Sequence, residues 1–424
     1  MLVQHRTVES CAPVFRGRSA CRFLLYSHDG LGLGHTRRHV AIARALTELA
    51  PGSSVLLATG SDIVNRLGLT PAIDILKLPG LRKVSNEEYA PRRLQIPASE
   101  MRSIRSALLH SVVKEYRPTV VLVDKHPFGV NDEFCAGLEE LRAGGGCAVL
   151  GLRDILDERK QVLKEWSACR MRERIAGFHD LVLVYGEPSV FDPVREYEFP
   201  EALANRTRFA GYIVNPDDNQ PASGAGAGTG SLERARRPTV LATAGGGEDG
   251  FLLLKTFIRA AAGASWDAIA VAGPMSPGAD FKTLTSLAAR AGVTLHTFVT
   301  GLPGMFRSLD ALVCMGGYNT LVEAVSKGVP TVCVPRTFPR REQLIRARAF
   351  ERLGLLTVIE PERLDARGLD HAINSVIGHP RRRLLKRAHS VLTFDGARQA
   401  ARHLLALAST ATTTNPVATN ELAL

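Results

Sequence analysis

Twice along this chain a short β-rich apolar run ends in a glycine turn and passes directly into a helical pattern. Arg22 to Ser27 precedes Gly30, Gly32 and Gly34, and Thr239 to Thr243 precedes Gly245, Gly246 and Gly247. Strand, glycine turn and helix in that order is the building unit of parallel α/β sheets. Further apolar runs at Ser54 to Ala58, Val120 to Val123, Cys147 to Leu150 and Leu181 to Val184 read as strands of the first half. Ala268 to Ala272, Val293 to Phe298, Ala311 to Cys314 and Thr331 to Val334 read as strands of the second. These runs are continuous rather than alternating, the mark of strands covered on both faces. Between the halves, residues 215–238 lack large apolar groups and are rich in Gly, Ser, Pro and Asp, which is linker chemistry. The expected fold is α/β, two doubly wound Rossmann-like domains facing a cleft lined by strand-to-helix loops.

The expected organisation is an N-terminal extension at 1–20, a first domain at 21–214, the linker at 215–238, a second domain at 239–405 whose last helix crosses back to the first, and a tail at 406–424. At 424 residues the chain exceeds what a single core usually supports. With 45% hydrophobic and 22% charged residues it has enough apolar content to fold, which excludes a disordered chain. No stretch reaches the length of a membrane-spanning helix, and residues 1–20 lack the apolar core of a secretory signal, so a cytoplasmic location is expected. The seven cysteines are scattered with no C-x-x-C pair, which points to reduced thiols and no metal site. The 53 basic and 42 acidic residues give +11, a balance open to nucleic acid, anionic lipid or phosphate-rich substrates. Only 6% of residues are aromatic and no RNA-binding signature is present, so nucleic acid is not expected as a partner.

Two glycine turns carry candidate chemistry. In Ser27-His28-Asp29-Gly30-Leu31-Gly32-Leu33-Gly34-His35-Thr36, Gly32 and Gly34 permit close backbone approach on the acceptor side, and His35 stands at the loop-to-helix junction, where an imidazole can take a proton near neutral pH. The spacing does not fit the dinucleotide fingerprint G-x-G-x-x-G. In Cys314-Met315-Gly316-Gly317-Tyr318-Asn319-Thr320-Leu321-Val322-Glu323, Asn319 or Thr320 is expected to cap the helix, the turn amides to hold a diphosphate, and Glu323 to accept bonds from ribose hydroxyls. Asp124 and Asp154 end strands and are expected to face the cleft, Asp124 as a catalytic carboxylate and Asp154 on the acceptor side.

These residues resemble family 28 of the nucleotide-sugar glycosyltransferases of the GT-B fold, which includes the N-acetylglucosaminyltransferase that completes lipid II. The resemblance rests on Gly-x-Gly-His after the first strand, Gly317-x-x-Thr320-x-x-Glu323, Gly328-Val329-Pro330 and Glu342-Gln343. It implies diphosphate and ribose contacts at Gly317, Thr320 and Glu323, a donor-sugar contact at Gln343 beside Glu342, and uracil reading by the backbone at Val299. It also implies that His35 is the base or transition-state stabiliser. Departures are Leu33 before Gly34, Ala244-Gly245-Gly246-Gly247 in place of Ser-x-Gly, Glu342 for the commoner aspartate, and Tyr318-Asn319 where small residues are usual.

The expected activity is an inverting transfer of a hexose or N-acetylhexosamine from a UDP-sugar to a hydroxyl acceptor. No cofactor or metal is expected, and the donor sites include Gly245, Gly246, Gly247, Gly316 and Asn319. A UDP-sugar epimerase of the same fold and a non-catalytic nucleotide-sugar binder are the competing readings. Residues 81–117 carry eight basic residues (Arg82, Lys83, Arg92, Arg93, Arg102, Arg105, Lys114, Arg117) among Leu94, Ile96, Met101, Ile104, Leu108 and Leu109. Read as an amphipathic stretch, they suggest docking on an anionic membrane surface, at the inner face of the plasma membrane, to reach a lipid-linked acceptor.

Overall fold

A computed structural model describes residues 21–28, 34–62, 64, 69–85, 88–214 and 237–414. The expected extension at 1–20, Gly30 and Gly32, linker residues 215–236 and the last ten residues lie outside the described residues.

The first half runs β1 (Arg22–Ser27), α1 (Gly34–Leu49), β2 (Ser54–Thr59), β3 (Ile73–Lys77), β4 (Leu81–Ser85), β5 (Glu88–Pro91), α2 (Ala98–Tyr116), β6 (Val120–Asp124), α3 (Cys135–Ala143), β7 (Cys147–Arg153), α4 (Arg159–Ala168), α5 (Met171–Phe178), β8 (Leu181–Tyr185), α6 (Pro193–Glu196), α7 (Glu201–Ala204) and β9 (Thr207–Phe209). The second runs β10 (Thr239–Thr243), α8 (Phe251–Ala261), β11 (Asp267–Val271), α9 (Gly278–Ala291), β12 (Thr294–His296), α10 (Leu302–Met305), β13 (Ala311–Cys314), α11 (Tyr318–Ser326), β14 (Thr331–Cys333), α12 (Glu342–Arg352), β15 (Thr357–Val358), α13 (Ala366–Val376), α14 (Arg381–Val391) and α15 (Gly396–Thr414).

Each half builds a wholly parallel sheet, in the order β3-β2-β1-β6-β7-β8-β9 and β12-β11-β10-β13-β14-β15. Central strands such as β6 and β13 are buried along their whole length because helices cover both faces, which is why their sequences lack polar alternation. α15 packs on α1 of the first domain, and it continues to Thr414, so the residues expected to begin a tail at 406 are still helical.

Residues 81–117 differ from the expected single amphipathic stretch. They open with the antiparallel β4–β5 hairpin, and only Ala98–Tyr116 is helical. α2 buries Met101, Arg105, Leu109 and Val113, and Arg105 forms a buried fork with Glu133. The core therefore claims one charge and two apolar groups that the membrane reading needs outside.

Candidate active site

The sheet topology decides where a ligand can sit. In a doubly wound sheet the crevice opens at the carboxyl ends of the two strands where the winding reverses. In the first sheet these are β1 and β6, whose ends lead to Gly34-His35 and Asp124. In the second they are β10 and β13, whose ends lead to Gly245–Gly247 and Gly316-Gly317. The two crevices meet: a Cβ placed on Gly34 would lie 3.1 Å from Asn319 Nδ2.

His35, in the first turn of α1, lies with Nδ1 2.9 Å from Asp124 Oδ2. Arg38 Nη2 donates to the same oxygen at 3.0 Å, and His39 Nε2 stands 3.9 Å from it. Burial pushes the Asp124 carboxyl up, but Arg38 and then His35 and His39 outweigh it and hold the group well below the usual carboxylate range. An ionised carboxylate only accepts, so a proton on His35 Nδ1 is the one that can be given to Asp124 Oδ2. Arg38 Nη2 also lies 2.7 Å from His35 Nδ1, where it donates when that nitrogen is unprotonated.

The wall beside His35 is made of rings. His28 lies 5.0 Å from His35 and 4.4 Å from His126 between ring centroids, with Tyr89 of the hairpin 6.0 Å from both His28 and His126. Burial, then His126 and Lys125, lowers His28; burial, then Lys125 and His35, lowers His126, so both rings stay neutral around pH 7.

On the second domain, α11 is N-capped by Gly317 with no side-chain cap bond, which leaves its first amides for an anion. Asn319 and Thr320, expected as caps, instead lie inside the first turn, because the helix begins one residue after the glycine pair. Gly316 adopts φ 79°, and a Cβ there would come within 3.0 Å of Cys333 Sγ and 3.3 Å of the Gln343 carbonyl. That close approach brings the start of α12 against the loop, so Glu342 and Gln343 stand beside it. Gln343 Oε1 accepts from the Arg336 amide at 3.4 Å, and buried Glu342 pairs with Arg336 at 3.2 Å. Glu323 is buried and pairs with Arg37 of the first domain at 3.0 Å, so its carboxylate is engaged across the domain boundary. Val299 follows β12 and packs on the core beside exposed Phe298. Gly245 and Gly246 are exposed, whereas Gly247, at φ 98°, lies so close to the Ala272 carbonyl that a Cβ would be 2.6 Å from it.

Asp154 does not face the cleft. It is fully buried, and its two oxygens take a fork from Arg346 of α12, at 2.8 Å from Nε and 2.7 Å from Nη2. Arg346 also donates to the Gly316 carbonyl at 3.2 Å. Asp154 thus pins the domains together, and with no oxygen left for an acceptor hydroxyl the expected acceptor role is withdrawn. Tyr318 crosses the same boundary: its hydroxyl donates to the Tyr185 carbonyl at 3.0 Å and accepts from the Ile213 amide at 3.3 Å, and its ring lies 5.3 Å from the Arg38 guanidinium. Arg340 pairs with Asp157 and Glu165, and Arg341 with Glu158.

Sequence reasoning passed over Arg37, Arg38, Arg153, Arg336 and Arg346. Their early signal was the density of arginine in or beside the candidate motifs, in Thr36-Arg37-Arg38, Leu152-Arg153-Asp154 and Pro335-Arg336 and after Gln343.

Residues 247–403 match the glycosyltransferase family 28 C-terminal domain. The class is thereby defined: a GT-B protein, family 28-like, whose second domain matches the family 28 C-terminal domain. The UDP-N-acetylglucosamine--N-acetylmuramyl-(pentapeptide) pyrophosphoryl-undecaprenol N-acetylglucosamine transferase of Bacillus pumilus is 29% identical over 83 residues, 19% of this chain and 23% of that protein. The chain thus aligns with about a quarter of that relative's length. The same fold is seen in CalG4, the calicheamicin glycosyltransferase, with TM-score 0.59 and 16% identity over 92% of this chain and 99% of that one. A UDP-N-acetylglucosamine 2-epimerase assignment from Listeria monocytogenes shares it as well, with TM-score 0.60 and 12% identity over 93% and 98%.

Proposed function

We propose that the protein transfers a hexose or N-acetylhexosamine from a UDP-sugar to an acceptor hydroxyl, with inversion and without a metal ion. The observation that carries this reading is the His35–Asp124 pair, at 2.9 Å, placed against the glycine loop that opens α11. The acceptor O–H gives its proton to His35 Nε2 as its oxygen bonds the anomeric carbon, and Asp124 stabilises the imidazolium that forms. The bond from that carbon to the diphosphate oxygen breaks, its electron pair leaving with UDP, whose charge the α11 amides meet. Uracil lies at Val299, the sugar at Glu342 and Gln343, and the ribose at Glu323 once Arg37 lets it go.

A lipid-linked acceptor is the favoured class, supported by the undecaprenol acceptor in the Bacillus pumilus relative's name. Among the described residues no helix is long and apolar enough to cross a membrane. Contact with a bilayer would be made at the surface where Val84, Leu94, Ile104 and Leu108 are exposed near Arg82, Arg93 and Arg102.

Incubation with UDP-sugars, with and without acceptor, tests the reading. Sugar transfer only in the presence of acceptor is expected, and His35→Ala should lower kcat by about 10²-fold while leaving UDP affinity nearly intact. Near-wild-type turnover in folded His35→Ala would remove the base from His35. Isomer formation from the donor alone would instead favour epimerisation, which the Listeria likeness keeps as the second reading.

A further inference from the structure

The domain boundary gathers arginines, and nearly all are neutralised. Arg38 is bound to Asp124, Arg346 to Asp154, Arg340 to Asp157 and Glu165, and Arg336 to Asp249 and Glu342. Arg153 differs. It ends β7 one residue before the Asp154 pin, yet its side chain forms no hydrogen bond or ion pair with any described residue, and its Nε is buried without a partner. Burial, followed by the nearby charges of Arg38 and Arg346, lowers its pKa, and Glu342 is the main group opposing that shift. Glu342 sits on the facing wall with its own Oε2 buried and unbonded. Arg153 is half-buried as a residue, but its Nε is shut off from water, and a buried donor without an acceptor, among like charges, is costly unless something absent from the protein itself completes it. An unsatisfied donor and an unsatisfied acceptor stand on opposite domains at the seam that the Asp154–Arg346 fork closes, Arg153 next to Asp154 and Glu342 one helical turn before Arg346, and they define the two ends of a missing ligand.

We infer that Arg153 binds the diphosphate of the donor while Glu342 accepts from a hydroxyl of the attached sugar, so that the scissile sugar–phosphate bond lies between them. The inference rests on the transfer reading above and adds a first-domain residue to the donor site. Arg153 then does more than hold the donor. When the bond from the anomeric carbon to the β-phosphate oxygen breaks, the electron pair passes to that oxygen, and the guanidinium meets the new charge while the acceptor proton is on His35. A fork of N–H donors already aimed at the developing charge favours the transition state over the ground state. Because the two atoms belong to different domains, only a donor that carries both diphosphate and sugar satisfies both.

The test uses the full chain. Calorimetric titration with UDP, with uridine and with a UDP-sugar compares wild type, Arg153→Met and Arg153→Lys, alongside thermal unfolding of the unliganded proteins. Arg153→Met should weaken UDP by about 10- to 100-fold, the range for hydrogen bonds to a charged group, and leave uridine binding unchanged. The same variant should unfold at or above the wild-type temperature, since it removes a buried donor that has no acceptor. A merely structural arginine would lower that temperature. Arg153→Lys should recover part of the UDP affinity and little of kcat. Unchanged UDP affinity in Arg153→Met, or a lowered unfolding temperature with UDP and uridine weakened alike, overturns the assignment. Failure of wild type to bind UDP, dTDP or GDP at all would overturn the transfer reading itself, and this inference with it.

Discussion

Replacing Asp154 by alanine tests whether the domains are held by one buried charge pair. Both side chains are fully shielded from solvent, and both carboxylate oxygens are used at 2.7 and 2.8 Å. Removal of the carboxylate strands the Arg346 guanidinium with the Gly316 carbonyl as its one remaining acceptor among the described residues. Breaking one side of a buried pair costs about 3 to 5 kcal/mol, much of it the penalty on the abandoned charge. At about 2 to 4 °C per kcal/mol for domains near 200 residues, the unfolding midpoint should fall by about 6 to 20 °C. The Ile155 amide also loses its 2.8 Å partner, which places the loss toward the upper end. Scanning calorimetry supplies the midpoint, and the double variant Asp154→Leu, Arg346→Met closes the cycle. The double variant should regain most of the loss, because two apolar groups of similar volume need no partner. A single-variant loss below about 1 kcal/mol, or a double variant no better than the single, would refute the pin.

Glu323→Ala should weaken UDP binding by about 1.5 to 3 kcal/mol, and Arg37→Ala, which removes one competing partner of the Glu323 carboxylate, should tighten it; isothermal titration checks both, and an unaltered dissociation constant in Glu323→Ala removes the ribose contact. Acid should destabilise the fold. Burial lowers His39 and His179 to about 4, against an ordinary value near 6.5, so below about pH 6.5 the unfolded chain takes up protons that the folded one refuses. That stability is complete above about pH 6.5 and is lost as pH falls toward 4, by about 2 kcal/mol per histidine at pH 5. Urea titrations at about pH 7.5 and pH 5 read it, and His179→Phe should shrink the difference by about that amount. Co-sedimentation should show salt-sensitive binding to anionic but not neutral vesicles, weakened by Leu94→Ser with Ile104→Ser; no binding at low ionic strength, where surface attraction is least screened, would argue for a soluble acceptor.

The frame of this protein is legible in its sequence because the determining signal is local. Strands buried on both faces read as unbroken apolar runs, and a glycine before a helix marks where backbone and ligand come close. β9 and β15, with three and two residues, are too short to show any period. The β4–β5 hairpin was hidden because its charged residues merged with those of α2. The site was legible only where chemistry and local motif coincide, as at His35 and Glu342-Gln343. Its partners are not local: Asp154 and Arg346 stand 192 residues apart, and Tyr318 reaches a carbonyl 133 residues away. Yet a trace of that pairing was present in the sequence. Asp154, Asp157 and Glu158 form an acidic run after β7, and Arg340, Arg341 and Arg346 a basic run around the start of α12. The structure sets these runs face to face. Arg153 stands at the head of the acidic run with the opposite sign, and no carboxylate in the basic run is bonded to it. Complementary runs hold two domains together; the residue that breaks the complement at their junction is the one left over for substrate.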